Sequence, residues 1–67
     1  MIKFKIEEVL ENKDKSIYWL AEEADLSYPT VYNLVKNRTE SIRFSTLSKI
    51  MKALEIEDFN KIMTLEN

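Results

Sequence analysis

Cysteine, histidine and glycine are all absent from this sequence of 67 residues, and proline occurs once. Without cysteine or histidine the chain forms no disulfide bond and lacks the ligands of the usual zinc sites. No apolar run approaches the ~20 residues that a membrane-spanning helix needs, and acidic residues occur too early for a signal peptide. These absences predict a cytoplasmic protein without a metal, a small-molecule cofactor or a membrane partner.

The lack of glycine restricts how the chain can turn, because glycine is the residue that most readily adopts a left-handed backbone. Every sharp turn must instead use Asn, Asp, Ser or Pro. The hydrophobic content of 45% is ordinary for a globular protein and argues against disorder. We therefore expect one domain, residues 1–67, with a single small core.

Between Ser16 and Asn37 the sequence has the pattern of two short helices joined by a tight turn. The hydroxyls of Ser16 and Ser27 can cap the two helices by accepting a bond from an orphan backbone N–H. Asp25 falls at the turn, where Asp tolerates a left-handed backbone. The apolar face of the first helix consists of Ile17, Leu20, Ala21 and Ala24.

The second helix has Pro29 in its first turn, where a missing N–H costs little. Val31, Leu34 and Val35 recur at helical spacing and form its buried stripe. The remaining residues lie off that stripe and mostly face solvent; they are Tyr28, Thr30, Tyr32, Asn33 and Lys36.

Two helices that cross after a short turn, the second with a polar face, form a helix-turn-helix. The pattern resembles the Cro/C1-type family of small phage and bacterial repressors over roughly residues 6–60. The matching residues are Leu20-Ala21, Leu26-Ser27, Thr30-Val31 and Asn33-Leu34, followed by Thr46-Leu47 and the Ile50 to Leu54 block. The chain departs from the family at Asp25, where Gly is usual, near Asn37, where Gly is frequent, and at Ile17, where a phosphate-binding Gln is frequent.

The flanking sequence predicts a strand and further helices. Residues 1–5 alternate in polarity, which favours a strand paired with residues 61–66 of the same or a second chain. The alternative is that both ends are simply extended or helical. Residues 6–13 predict a helix before the motif, residues 44–54 predict one after it, and a short fifth helix begins near Glu57. The helix over 44–54 would bury Phe44, Leu47, Ile50, Met51 and Leu54.

The predicted fold class is therefore all-α, a compact bundle of about five short helices with a central helix-turn-helix. A short terminal β pairing is added if the ends are strands. The glutamates lie on outer helix faces with no nucleophile or base beside them in the pattern, so we expect no enzyme activity.

The net charge is −2, but the charge is unevenly distributed. Residues 27–52 carry five basic residues against one acidic residue, a balance of +4, whereas residues 1–26 and 53–67 each carry −3. The positive region coincides with the second motif helix and the chain after it. In a helix-turn-helix this region contacts the phosphates of the DNA backbone.

The resemblance implies a sequence-specific DNA-binding transcriptional regulator, a small repressor of the phage or mobile-element type that acts by operator occlusion. Its partner would be double-stranded DNA, with the second motif helix in the major groove. The resemblance implies base contacts by Tyr28, Pro29, Thr30, Tyr32 and Asn33. It implies contacts to the DNA backbone or minor groove by Ser16, Ser27, Lys36, Asn37, Arg38, Arg43 and Ser45. Arg43 would be the residue that enters a narrow minor groove, the alternative being a solvent-exposed charge beside Phe44.

One helix-turn-helix covers only a few base pairs, so we expect a homodimer that binds two half-sites. The contact between the two copies would be made by apolar residues near the chain ends, namely Ile2, Phe4, Phe59, Ile62, Met63 and Leu65. The alternative function is a protein-interaction module, an inhibitor or antirepressor on the same scaffold. The negative net charge of the chain and the presence of Ile17 in place of Gln favour that alternative. The positive charge of residues 27–52 and the presence of both Asn33 and Arg43 oppose it.

Overall fold

The computed structural model describes residues 2–39 and 41–65 of the chain. In chain order the elements are strand β1 (Ile2–Phe4), helices α1 (Ile6–Lys13), α2 (Ile17–Glu23), α3 (Tyr28–Val35) and α4 (Phe44–Leu54), a 3-10 turn (Phe59–Lys61) and strand β2 (Met63–Leu65). The mostly helical class is confirmed, and the two helices outside the motif have the predicted bounds. None of the helices in the described ranges is long and apolar enough to cross a membrane.

The predicted count of about five helices is slightly too high, because the described residues form four α-helices. The element predicted near Glu57 is only the 3-10 turn Phe59–Lys61. Glu55 ends α4 in a left-handed conformation and β2 already begins at Met63. The short segment between them leaves no room for an α-helix, since the first hydrogen-bonded turn is costly to form and must be extended to become stable.

The two chain ends meet in an antiparallel pair of strands within one chain. The paired residues are Ile2 with Leu65, Lys3 with Thr64 and Phe4 with Met63. Beyond the ladder, the N–H of Lys5 donates to the carbonyl of Ile62 at 2.7 Å. The predicted pairing is confirmed in its intrachain form, and the alternative of unpaired ends is wrong. Glu66 of the predicted partner stretch lies outside the described residues.

All four described helices end in the same way, although the chain has no glycine. At each end one residue has a left-handed backbone, with φ between 56° and 59°. The residue after it donates its N–H to the carbonyl five positions back, which is the Schellman arrangement that satisfies the last carbonyls of a helix. The left-handed residues are Asp14, Asp25, Asn37 and Glu55, and the N–H donors are Lys15, Leu26, Arg38 and Ile56. The left-handed conformations at Asp25 and Asn37 agree with the expectation that Asp and Asn form the sharp turns. The expectation that every sharp turn uses Asn, Asp, Ser or Pro is wrong at Glu55, which adopts φ 59° at the end of α4.

Serine caps fix the starts of both motif helices, as the sequence predicts. Ser16 Oγ accepts from the N–H of Trp19 at 3.0 Å, and Ser27 Oγ accepts from the N–H of Thr30 at 3.4 Å. The Ser27 and Thr30 hydroxyls also share a hydrogen bond of 2.7 Å. By contrast, Arg43 precedes α4 without any side-chain cap. The start of α4 therefore keeps N–H groups that its own cap residue does not satisfy.

One hydrophobic cluster connects the helices and the sheet. Leu20 of α2 and Val31 of α3 are fully buried, and the small side chain of Ala21 lets the two helices approach closely. Phe4 and Ile62 extend the same core to the sheet, with exposed fractions of 6% and 0%. These two residues were expected on a dimer surface, and that expectation is wrong because the sheet folds back onto its own helices.

The expected burial of Phe44 is also wrong, since 77% of this side chain is exposed. Phe44 has the correct spacing for the buried stripe of α4, but it is the first residue of that helix. The stripe becomes buried only from Leu47, one turn later. Helix α4 therefore begins outside the core, next to the solvent-facing side of α3.

Candidate nucleic-acid interface

Helix α3 presents one face to the core and the opposite face to solvent. Its buried residues are the three that form the predicted stripe. Among the predicted base-contacting residues, Tyr28, Pro29 and Thr30 are exposed, and Tyr32 and Asn33 are partly exposed. All five are thus accessible on a single helix, which is the geometry that base reading in a major groove requires.

One side of this outer face is aromatic and cationic. The rings of Tyr28 and Tyr32 lie 5.9 Å apart, measured between centroids. The Lys36 ammonium lies 5.9 Å and the Arg38 guanidinium 5.5 Å from the centroid of the Tyr32 ring. Attraction between these cations and the ring favours this arrangement. Two predicted phosphate-binding cations therefore adjoin a predicted base-contacting ring.

The other side of the outer face borders a groove of about 500 Å³ between α3 and the start of α4, here called the α3–α4 groove. Thr30 and Asn33 line it from α3, and Arg43 and Thr46 line it from the start of α4. Its remaining lining residues are Leu26, Leu34, Thr39, Ser41 and Ile42. Asn33, predicted to contact a base, and Arg43, predicted to enter the minor groove, are thus brought to the same groove.

Lys36 has a partner within the chain. Its Nζ donates to Oε2 of Glu7 on α1 at 2.6 Å, and both side chains are substantially exposed. The hydrogen bond and the negative charge of Glu7 raise the pKa of Lys36, so its ammonium form is maintained at neutral pH. A phosphate would have to compete with Glu7 for this cation. Sequence reasoning missed Glu7, because a contact between residues so far apart in the chain leaves no local signal.

Asn37 is also engaged, by the backbone of Phe4. Its Oδ1 accepts from the Phe4 N–H at 2.6 Å, and its Nδ2 donates to the Phe4 carbonyl at 3.0 Å. The carboxamide occupies the free edge of β1, in the place that a further strand would take. Because both ends of its carboxamide are used in this way, Asn37 fixes the end of α3 to the sheet, and we leave it out of the proposed phosphate contacts.

The other residues predicted to contact the DNA backbone lie at helix starts. Ser16 and Ser27 precede α2 and α3, while Arg43 and Ser45 are at the start of α4. All four side chains are exposed. Helix starts attract anions because their first N–H groups lack intrahelical partners. The structure therefore presents three helix starts with exposed polar side chains.

Tyr18 and Glu22 of α2 interact with each other. Glu22 accepts a hydrogen bond from the Tyr18 hydroxyl, and this bond and the nearby charge raise the pKa of Tyr18. The tyrosine, 61% exposed, is thus a neutral group at physiological pH. Within residues 2–39 and 41–65, no three His, Cys, Asp or Glu side chains are grouped so that they could hold a metal ion.

Comparison with known families gives one match that covers nearly the whole chain. The family model of the Cro/C1-type HTH DNA-binding domain matches residues 5–66. This span includes all four α-helices and the α3–α4 groove. No curated protein and no solved structure matches the chain significantly.

Proposed function

The chain belongs to the Cro/C1-type helix-turn-helix DNA-binding domain family and is a DNA-binding regulator; from this premise we propose that it is a small sequence-specific repressor of the phage or mobile-element type. It would act in the cytoplasm, where bacterial DNA lies, by occupying an operator and excluding other proteins from it. The accessible outer face of α3 is the observation that carries this proposal. Its base-contacting candidates are free of the core and lie beside basic residues.

In the proposed complex α3 lies in the major groove. Asn33 can pair with adenine through two hydrogen bonds, and Tyr28 and Pro29 can pack on a thymine methyl. Thr30 can make either kind of contact, a hydrogen bond to a base or packing on a thymine methyl. Arg43, at the start of α4, would enter a narrow minor groove, which attracts arginine electrostatically.

The direct test is selection of bound duplexes from a pool with randomised sequence, followed by electrophoretic shift at two salt concentrations. We expect a recurring sequence and an affinity that falls steeply with salt. Failure to retain any duplex at low salt would contradict the proposed function. Retention without sequence preference would contradict the specific-repressor part of it.

Asn33→Ala tests base reading. We expect a loss of about 1–3 kcal/mol in binding free energy on the selected duplex and little change on random duplex, because only base-edge contacts carry sequence information. Fluorescence anisotropy with both duplexes measures the two losses. Asn12→Ala, which truncates an exposed Asn on α1, is the matched control. Equal losses on both duplexes would mean that Asn33 positions the helix without reading bases.

Substitutions at Lys36 and Glu7 test the phosphate contact and its competition with the ion pair. Lys36→Ala should weaken binding to all sequences and make the log–log salt slope shallower by roughly one unit. Glu7→Gln should strengthen binding to all sequences, because it releases Lys36 and removes a negative charge beside it. Glu57→Gln makes the same charge change at another exposed position. A salt slope unaltered by Lys36→Ala would place this cation outside the interface.

We also propose that the chain binds DNA as a homodimer that reads two half-sites about 34 Å apart. Ile2 and Leu65 lie opposite each other in the sheet and are 53% and 74% exposed. Phe59, in the 3-10 turn that precedes β2, is also exposed. An apolar surface of this kind supports a contact between two copies.

Leu65→Asp tests the homodimer. We expect it to shift sedimentation at high micromolar concentration towards the monomer, because a carboxylate would be placed in the apolar contact. Phe44→Asp puts the same charge on an exposed apolar side chain at the start of α4 and is the control. A wild-type chain that is strictly monomeric, and binds its site as one copy, would contradict the homodimer and favour the protein-interaction alternative.

A further inference from the structure

The two-stranded sheet is attached to the helices at few points. Phe4 is the only buried residue of the two described strands, and Ile62, just before β2, adds a second buried side chain. Ile2 and Leu65 of the same sheet are largely exposed. A sheet of two such short strands is hardly stable by itself. The orientation of the sheet relative to the helices therefore depends strongly on what holds Phe4.

The carboxamide of Asn37 holds the backbone of this same residue from the end of α3. It accepts from the Phe4 N–H at 2.6 Å and donates to the Phe4 carbonyl at 3.0 Å. We call these two hydrogen bonds the Asn37–Phe4 clamp. Asn37 has little freedom of its own, because its left-handed backbone ends α3 and its N–H is bonded to the carbonyl of Leu34. The clamp thus joins the end of α3 directly to β1.

The neighbouring contact between the end of α3 and the N-terminal segment is more exposed. Lys36 Nζ pairs with Glu7 Oε2 on α1, and these side chains are 38% and 50% exposed. Exposed ion pairs contribute little, because water and salt screen the charges. The clamp is partly buried, so its hydrogen bonds compete less with water. Of the two contacts, the clamp is therefore the one that fixes an orientation.

The clamp lies between the two surfaces that a DNA-binding dimer needs. Helix α3 carries the base-contacting candidates, whereas Ile2 and Leu65 of the sheet form the proposed contact between copies. A rotation of about 10° between the sheet and α3 would displace a half-site ~34 Å away by about 6 Å. This displacement exceeds the ~3.4 Å rise of one base pair. A small change at the clamp therefore alters the distance between half-sites that the dimer can span.

We propose that Asn37 is a positioning residue for operator recognition, and that the Asn37–Phe4 clamp determines which half-site spacing the homodimer accepts. The inference rests on the DNA-binding function and the homodimer proposed above. Its partner is a duplex whose two half-sites lie at one fixed spacing. Asn37 contacts no DNA in this arrangement and acts through the orientation of α3 relative to the sheet. The outer face of α3 selects the bases, and the clamp selects the distance between the half-sites.

The test measures affinity for duplexes that carry one half-site of the selected sequence, or two half-sites whose spacing is changed one base pair at a time. The wild-type chain should prefer one spacing by about a hundredfold, because only there can both copies bind together. Asn37→Gly removes the clamp and adopts the positive φ at the end of α3 easily. It should bind the single half-site like the wild type and the preferred spacing about tenfold more weakly. A change of one base pair should then cost this variant no more than about threefold.

Three comparisons separate the clamp from stability and from charge. Ile50→Val removes a methylene from a fully buried residue of α4, so it lowers stability away from the clamp and should keep the wild-type spacing preference. Glu7→Gln opens the ion pair beside the clamp and should strengthen binding at every spacing alike. Amide hydrogen exchange in Asn37→Gly should be faster at the Phe4 N–H. The Lys5 N–H, which is bonded to the C-terminal segment, should stay protected because the sheet persists.

The outcomes separate the positioning role from the proposed function. A chain that binds no duplex overturns the DNA-binding function and the positioning role with it. A wild-type chain without any spacing preference overturns the homodimer and the positioning role, while DNA binding by a single copy stands. If Asn37→Gly keeps the wild-type preference, or weakens binding to one and two half-sites by the same factor, Asn37 serves the fold alone and the inference is wrong. An equal loss of spacing preference in Ile50→Val would assign the effect to reduced stability and also overturns the inference.

Discussion

Replacing Ile62 with aspartate should unfold the domain at 25 °C. Ile62 has no exposed surface and belongs to the hydrophobic cluster that joins the sheet to the helices. Removing such a side chain costs about 2–5 kcal/mol when only a cavity is left. Burying a carboxylate without a partner adds a further penalty, because the group must either stay charged in an apolar site or become protonated. A chain of this size has only about 3–10 kcal/mol of stability in total.

Circular dichroism and thermal melting measure this effect directly. Phe44→Asp is the matched control, since it places the same charge at a position that is 77% exposed and outside the proposed dimer contact. It should leave the melting curve nearly unchanged. Ile62→Val removes one methylene and should cost about 1 kcal/mol. An Ile62→Asp variant that melts within a few degrees of the wild type would contradict the buried position of this residue. The comparison also means that Ile62→Asp is unsuitable as a test of dimerisation, for which Leu65→Asp is the appropriate variant.

Asn37→Ala should produce the second-largest effect, a loss of about 2–4 kcal/mol in the free energy of unfolding. The substitution removes both hydrogen bonds to Phe4 and leaves its N–H and carbonyl without their partner at the edge of β1. It also places alanine at φ 57°, a conformation that alanine adopts less readily than asparagine. The end of α3 would lose its attachment to the sheet.

Two further variants separate these contributions in urea denaturation. Asn37→Gly removes the same hydrogen bonds but adopts a positive φ easily, so it should be less destabilising than Asn37→Ala. Asn37→Asp keeps an acceptor for the Phe4 N–H and the tolerance for this φ, but it replaces the donor with a carboxylate oxygen that repels the Phe4 carbonyl. If the alanine and glycine variants were both as stable as the wild type, the carboxamide contact with β1 would contribute nothing to the fold.

The positions of the helices and their ends are largely determined by local sequence. The spans 6–13 and 44–54 were predicted with the bounds that the structure shows. Caps at Ser16 and Ser27 and left-handed turns at Asp25 and Asn37 follow from side chains that satisfy nearby backbone groups or tolerate a positive φ. The outer face of α3 follows in the same way, because helical periodicity assigns its buried stripe. Such interactions connect residues no more than about five apart, so they can be recognised in the sequence itself.

Only the tertiary structure determines which surfaces remain exposed and which polar groups are already paired. Phe44 has the spacing of a buried residue but lies where α4 extends beyond the core, whereas Ile62 is buried because the sheet folds back. Asn37 and Lys36 are engaged by Phe4 and Glu7, residues about thirty positions earlier in the chain. Thr39 Oγ1 is buried without a hydrogen-bond partner among the described residues, and this too depends on what surrounds it. Burial and hydrogen-bond pairing are properties of packed neighbours, and periodicity, capping and charge along the chain carry no information about which distant segments become those neighbours.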